Sequence, residues 1–94
     1  MDKILNNLGL CKRAGGLITG SEIVIEGIRN KKVFYVFLAS DASMNTKKKI
    51  NDKCNYYKVL VCDKYSSEEL SNAIGVNGRM VIGITNKDFI KILK

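Results

Sequence analysis

The sequence predicts an α/β protein in which a sheet lies between two layers of helices, a three-layer α/β/α sandwich. Two observations support this prediction. Short apolar segments typical of strands alternate with longer segments in which apolar residues recur at helical spacing. One short segment, residues 33–39 (VFYVFLA), is rich in β-branched and aromatic side chains and contains no charged residue. Such a run is typical of a central strand that is covered on both faces.

The first helix is predicted over residues 2–12, where apolar residues recur at helical spacing. Gly15 and Gly16 follow it and can end the helix, because glycine accepts the left-handed backbone conformation without steric cost. Residues 17–18 are then expected to form a short strand.

A second helix is predicted from residue 19 to about residue 30. Thr19 and Glu22 have the spacing of a capping box, in which each side chain satisfies one free amide at the helix start. The face that lies on the sheet is expected to consist of four apolar or small residues, namely Ile23, Val24, Gly27 and Ile28.

The polar segment of residues 40–43 (SDAS) follows the central strand and can cap a third helix. Within that helix, Ile50, Cys54 and Tyr57 form an apolar stripe. Residues 58–62 (KVLVC) have the composition of a further strand.

The last third of the chain predicts a short helix, a strand and a closing helix. Ser66 and Glu69 again have capping-box spacing, and Gly75 is placed to end the short helix in the left-handed conformation. A connecting loop, Val76–Arg79, leads to a strand over residues 80–84 and then to the closing helix.

Composition restricts the possible functions. The 94 residues predict a single domain, and the net charge of +7, from 16 basic and nine acidic residues, favours a polyanionic partner. No apolar run approaches the ~20 residues of a membrane span, and residues 1–16 lack the charge order of a secretory signal. Cys11, Cys54 and Cys62 are odd in number and widely spaced, which predicts buried, reduced thiols in a cytoplasmic protein.

Enzyme chemistry has little support in the sequence. There is no histidine, and neither a Walker A motif nor a GxGxxG motif after a strand is present. Cys11 stands beside two cations but lacks the usual base, so a packing role is favoured. Asp41 and Asp63 each follow a strand, where sites of α/β proteins often form, although a helix cap or a turn explains them equally well. We therefore expect no catalytic residue, metal or cofactor.

Features of a binding surface are better represented. The start of the second helix, at Gly20 and Ser21, offers free amides to a phosphate or a base edge. The Val76–Arg79 loop adds a flexible backbone, an apolar tip and a cation. Further positive charge comes from five basic residues, Arg13, Arg29, Lys31, Lys32 and Lys47.

Several segments resemble a known family. A pattern of Gly-x-x-x-Val, a basic turn, an apolar strand and Ala-x-Asp, together with LSNAIGV (Leu70–Val76), resembles the kink-turn RNA-binding ribosomal proteins of archaea and eukaryotes. Three further segments, GLCKRAGGLITG (Gly9–Gly20), SDASMNTKKKI (Ser40–Ile50) and DKCNYYKV (Asp52–Val59), resemble the bacterial branch of that family. The similarity is greatest to the bacterial branch known as YlxQ and covers nearly the whole chain. It implies a mixed four-stranded sheet and RNA binding without catalysis.

The resemblance also implies site residues. In the family, an asparagine, a glutamate and a lysine on the helix after Gly20 read the sheared G·A pairs of a kinked RNA. Glu22 stands at the asparagine position and can accept a hydrogen bond but cannot donate one as an amide does. The apolar Ile23 replaces the glutamate, and Glu26 reverses the charge of the lysine. At the second loop Val76 takes the apolar tip position, with Asn77 and Arg79 beside it.

We therefore predict a non-catalytic, cytoplasmic RNA-binding protein, bound to ribosomal or other structured, kink-turn-like RNA. We expect a monomer with RNA and ribonucleoprotein partners and no membrane association. The alternative is a protein-interaction module on the same scaffold with weakened RNA recognition. The predicted RNA-binding residues are Gly20, Ser21, Glu22, Ile23, Glu26, Arg29, Lys31, Lys47, Val76, Asn77 and Arg79.

Overall fold

Helices and strands alternate along the chain in the predicted order. A computed structural model describes residues 2–94. Its elements are α1 (Lys3–Arg13), β1 (Leu17–Thr19), α2 (Ser21–Arg29), β2 (Tyr35–Leu38), α3 (Met44–Tyr57), β3 (Leu60–Cys62), α4 (Ser67–Ile74), β4 (Val81–Ile84), a 3-10 turn (Lys87–Phe89) and α5 (Ile90–Leu93).

The four strands form one mixed sheet in the order β1-β4-β2-β3. Strand β4 is antiparallel to both β1 and β2, whereas β2 and β3 are parallel. Strands β1, β2 and β3 therefore all finish at the same end of the sheet, which we call the carboxyl end, and β4 begins there. The opposite end is the amino end. This arrangement confirms the expected mixed four-stranded sheet.

Helices cover both faces of the sheet, as a three-layer sandwich requires. Helices α2 and α3 pack together and contact strands β1, β3 and β4, while α1 packs against α4 and α5. The layers approach closely at Gly83 in β4, where an added Cβ would lie only 3.1 Å from side-chain atoms of Val24 and Val33. Glycine at this position thus lets α2 sit directly on the sheet.

Strand β2 is the central strand that the sequence predicts. It lies between β4 and β3, and all four of its residues are buried. The predicted strand, residues 33–39, is longer than the observed one. Val33 and Ala39 are buried, as its apolar composition indicates, but they lie outside the regular ladder.

Two predictions for α2 are wrong. Thr19 does not form a capping box with Glu22, because Thr19 is the last residue of β1, where it pairs with Ile82. The N-cap is Gly20, and no side chain caps the helix. Ile23 does not lie on the sheet, since its side chain is 59% exposed. The buried face consists of Val24, Gly27 and Ile28.

The other predicted helix ends are confirmed. The Ser66 hydroxyl accepts a hydrogen bond from the Glu69 N–H at 3.1 Å, and the Glu69 carboxylate accepts one from the Ser66 N–H at 3.0 Å. Gly75 ends α4 with a φ of 72°. Within residues 40–43, it is Ser43 that caps α3.

The cysteines divide into two environments. Cys11 and Cys54 are buried, as expected, and all three thiols are free. The expectation of burial is wrong for Cys62, which is half-buried because β3 is an edge strand. No helix within residues 2–94 is both long and apolar enough to cross a membrane.

Candidate nucleic-acid interface

The start of α2 and the Val76–Arg79 loop meet at the carboxyl end of the sheet. The Gly20 N–H donates a hydrogen bond to the Val81 carbonyl at 3.0 Å, and the Ala39 N–H donates to the Met80 carbonyl at 2.8 Å. The loop ends one residue before Met80, so these bonds fix it beside the first turn of α2. Two segments about 60 residues apart in the chain therefore form one surface, which we call the loop face.

Helix α2 begins without a capping side chain. Gly20 has a φ of 97°, in the left-handed range that favours glycine, and the first helical hydrogen bond runs from the Val24 N–H to the Gly20 carbonyl at 2.9 Å. The N–H groups of Ser21, Glu22 and Ile23 precede this bond. They carry the positive end of the helix dipole and suit an anionic group or a hydrogen-bond acceptor.

The side chain of Ile23 lies next to these amides. Its Cδ1 would be 3.9 Å from a Cβ built on Gly20, which places the side chain against the N-cap. Because Ile23 is 59% exposed, the loop face combines free amides with an apolar contact surface.

The Val76–Arg79 loop is held by a residue that sequence reasoning missed. The buried Ser71 accepts a hydrogen bond from the Arg79 N–H at its Oγ, at 3.0 Å, and one from the Val76 N–H at its carbonyl, at 3.1 Å. Gly75 and Gly78 turn the chain with φ values of 72° and 70°. The available signal was a small polar residue on the buried side of α4.

The loop side chains differ in exposure. Asn77 is exposed, and Val76 is half-buried. Arg79 is half-buried, and its Nε is covered and has no hydrogen-bond partner within residues 2–94. The stem of Arg79 thus packs against the protein instead of extending freely from the loop.

Lys47 lies in the first turn of α3, at the same end of the sheet. It is near Asp41, whose carboxylate accepts hydrogen bonds from the N–H and the hydroxyl of Ser67, both at 2.8 Å. These bonds, together with the charge of Lys47, hold the pKa of Asp41 below its usual value. The structure assigns Asp41 to fixing the start of α4.

Glu22 and Glu26 are exposed on the side of α2 that faces α3. They line a groove of about 420 Å³ that also contains Arg29, Lys49 and Asp52. The expected pair between Glu26 and Arg29 is present, at 3.8 Å, and both side chains are more than half exposed. Pairs of this kind contribute only ~0.2–0.5 kcal/mol to helix stability.

Arg29 and Lys31 are separated from the rest of the predicted site. Arg29 ends α2, and eight residues at a rise of 1.5 Å put it about 12 Å along the helix from Ser21. Lys31 follows in the turn at the amino end of the sheet. The other predicted residues lie on the loop face or on the first two turns of α2 and α3.

The comparison with protein families decides the relationship of this chain. A model described as the "Ribosomal protein L7Ae/L30e/S12e/Gadd45 family" matches residues 2–94. The chain belongs to this family. The L7Ae/L30e family is non-enzymatic, so the chain is not an enzyme. Within residues 2–94, no cluster of three or more histidine, cysteine or acidic residues is arranged to hold a metal ion.

Two curated relatives in the L7Ae/L30e family carry the name "RNA-binding protein YlxQ". The protein from Enterococcus faecium is 48% identical over 98% of this chain and 88% of its own length. The protein from Bacillus subtilis (strain 168) is 44% identical over 87% of this chain and 82% of its own length. The resemblance to the YlxQ branch is thereby confirmed.

Solved structures show the same fold. A protein of unknown function from Bacillus halodurans C has a TM-score of 0.95 and 41% identity, over 99% of this chain and 94% of that chain. The Giardia lamblia 15.5kD RNA binding protein has a TM-score of 0.85 over 97% of this chain and 78% of that chain. At 17% identity, the second match bears on the fold alone.

Proposed function

We propose that the protein is a non-catalytic RNA-binding protein that recognises structured, kink-turn-like RNA through the loop face. The observation that carries the proposal is the uncapped start of α2, fixed by the Gly20–Val81 hydrogen bond beside the Val76–Arg79 loop. The net charge of +7 and the RNA-binding relatives within the family support the same ligand class.

Each part of the loop face suits a different part of an RNA. The free amides of α2 fit phosphate oxygens or base edges, and Lys47 supplies positive charge nearby. Exposed Ile23 and the apolar Val76 offer surfaces for a base displaced from its stack, while Asn77 can hydrogen-bond with its edge. Recognition on this chain thus depends more on backbone amides and the loop than on charged side chains of α2.

We propose further that the protein works as a monomer in the cytoplasm and associates with ribosomal RNA. Family membership supports this setting, because the family is described by its ribosomal proteins. Sedimentation of cell extracts tests it. The protein should migrate with ribosomal particles at low salt and leave them as salt is raised, because the contacts are largely electrostatic.

The test of the loop face is a pair of matched substitutions. Arg79→Met removes the guanidinium but keeps an unbranched stem in its half-buried position, and Lys91→Met removes one charge from the exposed surface of α5. We expect Arg79→Met to weaken binding to a kink-turn RNA by about 1–3 kcal/mol if the guanidinium contacts a base. Lys91→Met should have a much smaller effect.

The measurement is affinity for a kink-turn RNA at two salt concentrations, with unfolding curves for each variant. Equal effects of the two substitutions, with both proteins folded, would remove Arg79 from the interface. No RNA affinity of the native protein at low salt would refute the proposal as a whole.

A protein partner is the second candidate. The groove between α2 and α3 favours it, because Glu22, Glu26, Lys49 and Asp52 present charges of both signs instead of a uniformly positive surface. Such a surface suits a protein of mixed charge better than a phosphate backbone. Salt separates the two candidates, since RNA affinity falls steeply with ionic strength as counterions are released, whereas a groove whose charges of both signs nearly balance should respond less.

A further inference from the structure

We propose that a second pocket, at the amino end of the sheet, binds one nucleotide of a single-stranded RNA segment. It lies between the last turns of α2 and α3, away from the loop face, and we call it the amino-end pocket. The proposal rests on the proposed function in that the ligand is RNA. It adds a second contact site and a ligand class, the single-stranded segment that flanks a folded RNA.

The amino-end pocket combines apolar, aromatic and cationic groups. It has a volume of about 270 Å³ and is lined by the buried side chains of Ile28 and Val33 and by the half-buried rings of Phe34 and Tyr57. This volume lies just below the ~300 Å³ at which pockets for drug-sized ligands begin, so the pocket fits one base and not an extended ligand.

The charge at the pocket mouth is entirely positive. Lys31 and Lys58 are exposed at its edge, and no acid is found among the described residues that line it. Lys87 adds a third cation, with its Nζ 4.9 Å from the centre of the Phe34 ring. An anionic ligand with a planar apolar part matches this combination, because the ammonium groups attract phosphate while the rings stack on a base.

The backbone at the two lysines supports a role for their side chains. Lys31 and Lys58 are the only non-glycine residues within 2–94 with positive φ, at 59° and 58°. Each follows the end of a helix, where a Schellman-type hydrogen bond forms from Lys32 to Gly27 and from Val59 to Cys54, both 2.8 Å long. Glycine is the usual residue at such positions, because other residues are strained there.

Both helices end at a lysine with a strained backbone, and both lysines line the same pocket. This suggests that the positive charge at these positions contributes more to function than an unstrained backbone would. A purely structural account also exists, because a cation near a helix C-terminus interacts favourably with the dipole. The two accounts differ in what a glycine should do. Glycine removes the strain and the charge together, so it should maintain or raise stability while it weakens an anion site.

The aromatic surface continues outside the pocket. Tyr56 is 78% exposed, and its ring lies edge-on to that of Tyr57 with a centroid distance of 4.8 Å. A largely exposed tyrosine beside an aromatic pocket offers a second stacking surface, which suits two successive bases of an extended strand. Since α2 connects the two regions over about 12 Å, one RNA can occupy the loop face and the amino-end pocket together.

The experiment uses the full protein and two RNA probes. One is a blunt kink-turn RNA, and the other is the same RNA with an eight-nucleotide single-stranded oligouridine extension. The test variants are the double substitution Lys31→Gly/Lys58→Gly and the single substitution Tyr57→Leu. The matched control is Lys91→Gln/Lys94→Gln, which also removes two positive charges, from the C-terminal segment.

We expect the glycine variant to remain as stable as the native protein and to lose the extra affinity that the extension provides. For the extended RNA, the slope of log affinity against log salt concentration should become less steep by about 1.4, the value for two phosphate contacts on a single strand. Tyr57→Leu should lower affinity for the extended RNA roughly 5- to 150-fold, the range for loss of one stacked base. Neither variant should affect the blunt RNA beyond the control.

Three results would overturn the inference. The first is an extension that adds no affinity to the native protein, and the second is a glycine variant that binds like the control. The third is an unchanged affinity of the Tyr57→Leu variant for the extended RNA, which would mean that the pocket binds phosphate but does not stack on a base. In each case, weaker binding of the blunt RNA by the Arg79→Met variant would show that the proposed function holds without the amino-end pocket.

Discussion

At the residue scale, two carboxylates join parts of the chain that are far apart in sequence. Asp2 caps α1 by accepting a hydrogen bond from the Ile4 N–H at 2.8 Å, and it also accepts one from the Tyr65 hydroxyl at 3.0 Å. Asp41 binds the N–H and hydroxyl of Ser67 across 26 residues. Each carboxylate thereby fixes the start of a helix to a distant segment.

These bonds change the acidity of the groups involved. Desolvation acts to raise the pKa of Asp2, but the hydrogen bonds from Ile4, Tyr65 and Leu5 prevail and lower it. The hydrogen bonds from Ser67 lower the pKa of Asp41. Burial, with the hydrogen bond to Asp2, raises the pKa of Tyr65 to about 12. Tyr65 therefore stays protonated and remains a donor throughout the physiological range.

The lowered pKa values predict how stability depends on pH. A carboxylate with a depressed pKa in the folded protein stabilises it above pH 3.8, the ordinary value, and this contribution is lost as pH falls through the lower, folded value. We expect Asp41→Asn to flatten the acid part of the stability profile, measured by urea unfolding between pH 2 and 6. Asp63→Asn is the control, and an equal change in both variants would contradict the account.

Cysteine reactivity should follow burial. Burial raises the pKa of the Cys54 thiol to about 11, so little thiolate forms at neutral pH, whereas Cys62 is half-buried on an edge strand. Labelling of the native protein with a maleimide, read by mass spectrometry, should modify Cys62 first and Cys54 far more slowly. Equal rates for both that match the unfolded protein would show that the core is open.

At the scale of elements, α2 has two separate surfaces. Its first turn presents free amides and Ile23 on the loop face, and its outer side presents Glu22 and Glu26 to the groove along α3. The helix is held to the sheet by Val24, Gly27 and Ile28. Substitutions on the outer side can therefore change binding without disturbing the packing.

This separation makes Glu26 a clear test of the helix surface. Glu26→Lys replaces a repulsive charge with an attractive one. It breaks two weak, exposed contacts, the pair with Arg29 and a 3.5 Å hydrogen bond that the Asn30 side-chain amide donates to the Glu26 carboxylate. We expect stronger binding to a kink-turn RNA, with a salt dependence steeper by about one phosphate contact, and nearly unchanged stability.

The control for Glu26→Lys is Asp52→Lys, an identical charge change on the opposite wall of the groove. It accounts for the general effect of a more positive protein. If affinity is flat or falls for every structured RNA, or rises equally in both variants, position 26 does not face the nucleic acid.

At the scale of the whole molecule, close approach of the layers sets the geometry of the interface. Helix α2 sits on β4 over Gly83, and this contact holds the start of α2 at the edge where the Val76–Arg79 loop emerges. An added methyl group at Gly83 would lie 3.1–3.2 Å from Val24 and Val33, closer than ordinary packing allows.

Gly83→Ala is therefore expected to destabilise the protein by about 1–3 kcal/mol through overpacking. The double variant Gly83→Ala/Val33→Ala makes room for the methyl group. Its loss of unfolding free energy should therefore be smaller than the sum of the losses in the two single variants. Urea unfolding measures both. Additive effects would mean that Val33 does not limit the space above Gly83.

The features that the sequence predicts correctly are those determined by neighbouring residues. The capping box of Ser66 and Glu69 needs only residues three apart, and the left-handed turn at Gly75 follows from glycine itself. The burial of Tyr35–Leu38 follows from an uninterrupted apolar run. These local preferences do not depend on how the rest of the chain is arranged.

Only the tertiary structure decided the features that depend on distant partners. Thr19 has the spacing of a cap, yet it belongs to β1 because Ile82 pairs with it from 63 positions away. This pairing shifts the helix start to Gly20 and leaves its amides uncapped. Ile23 is exposed, although it is as apolar as Val24, because the sheet lies on the other side of the helix. Local sequence thus determined which elements form, whereas long-range strand pairing and layer packing determined which groups the protein presents to a ligand.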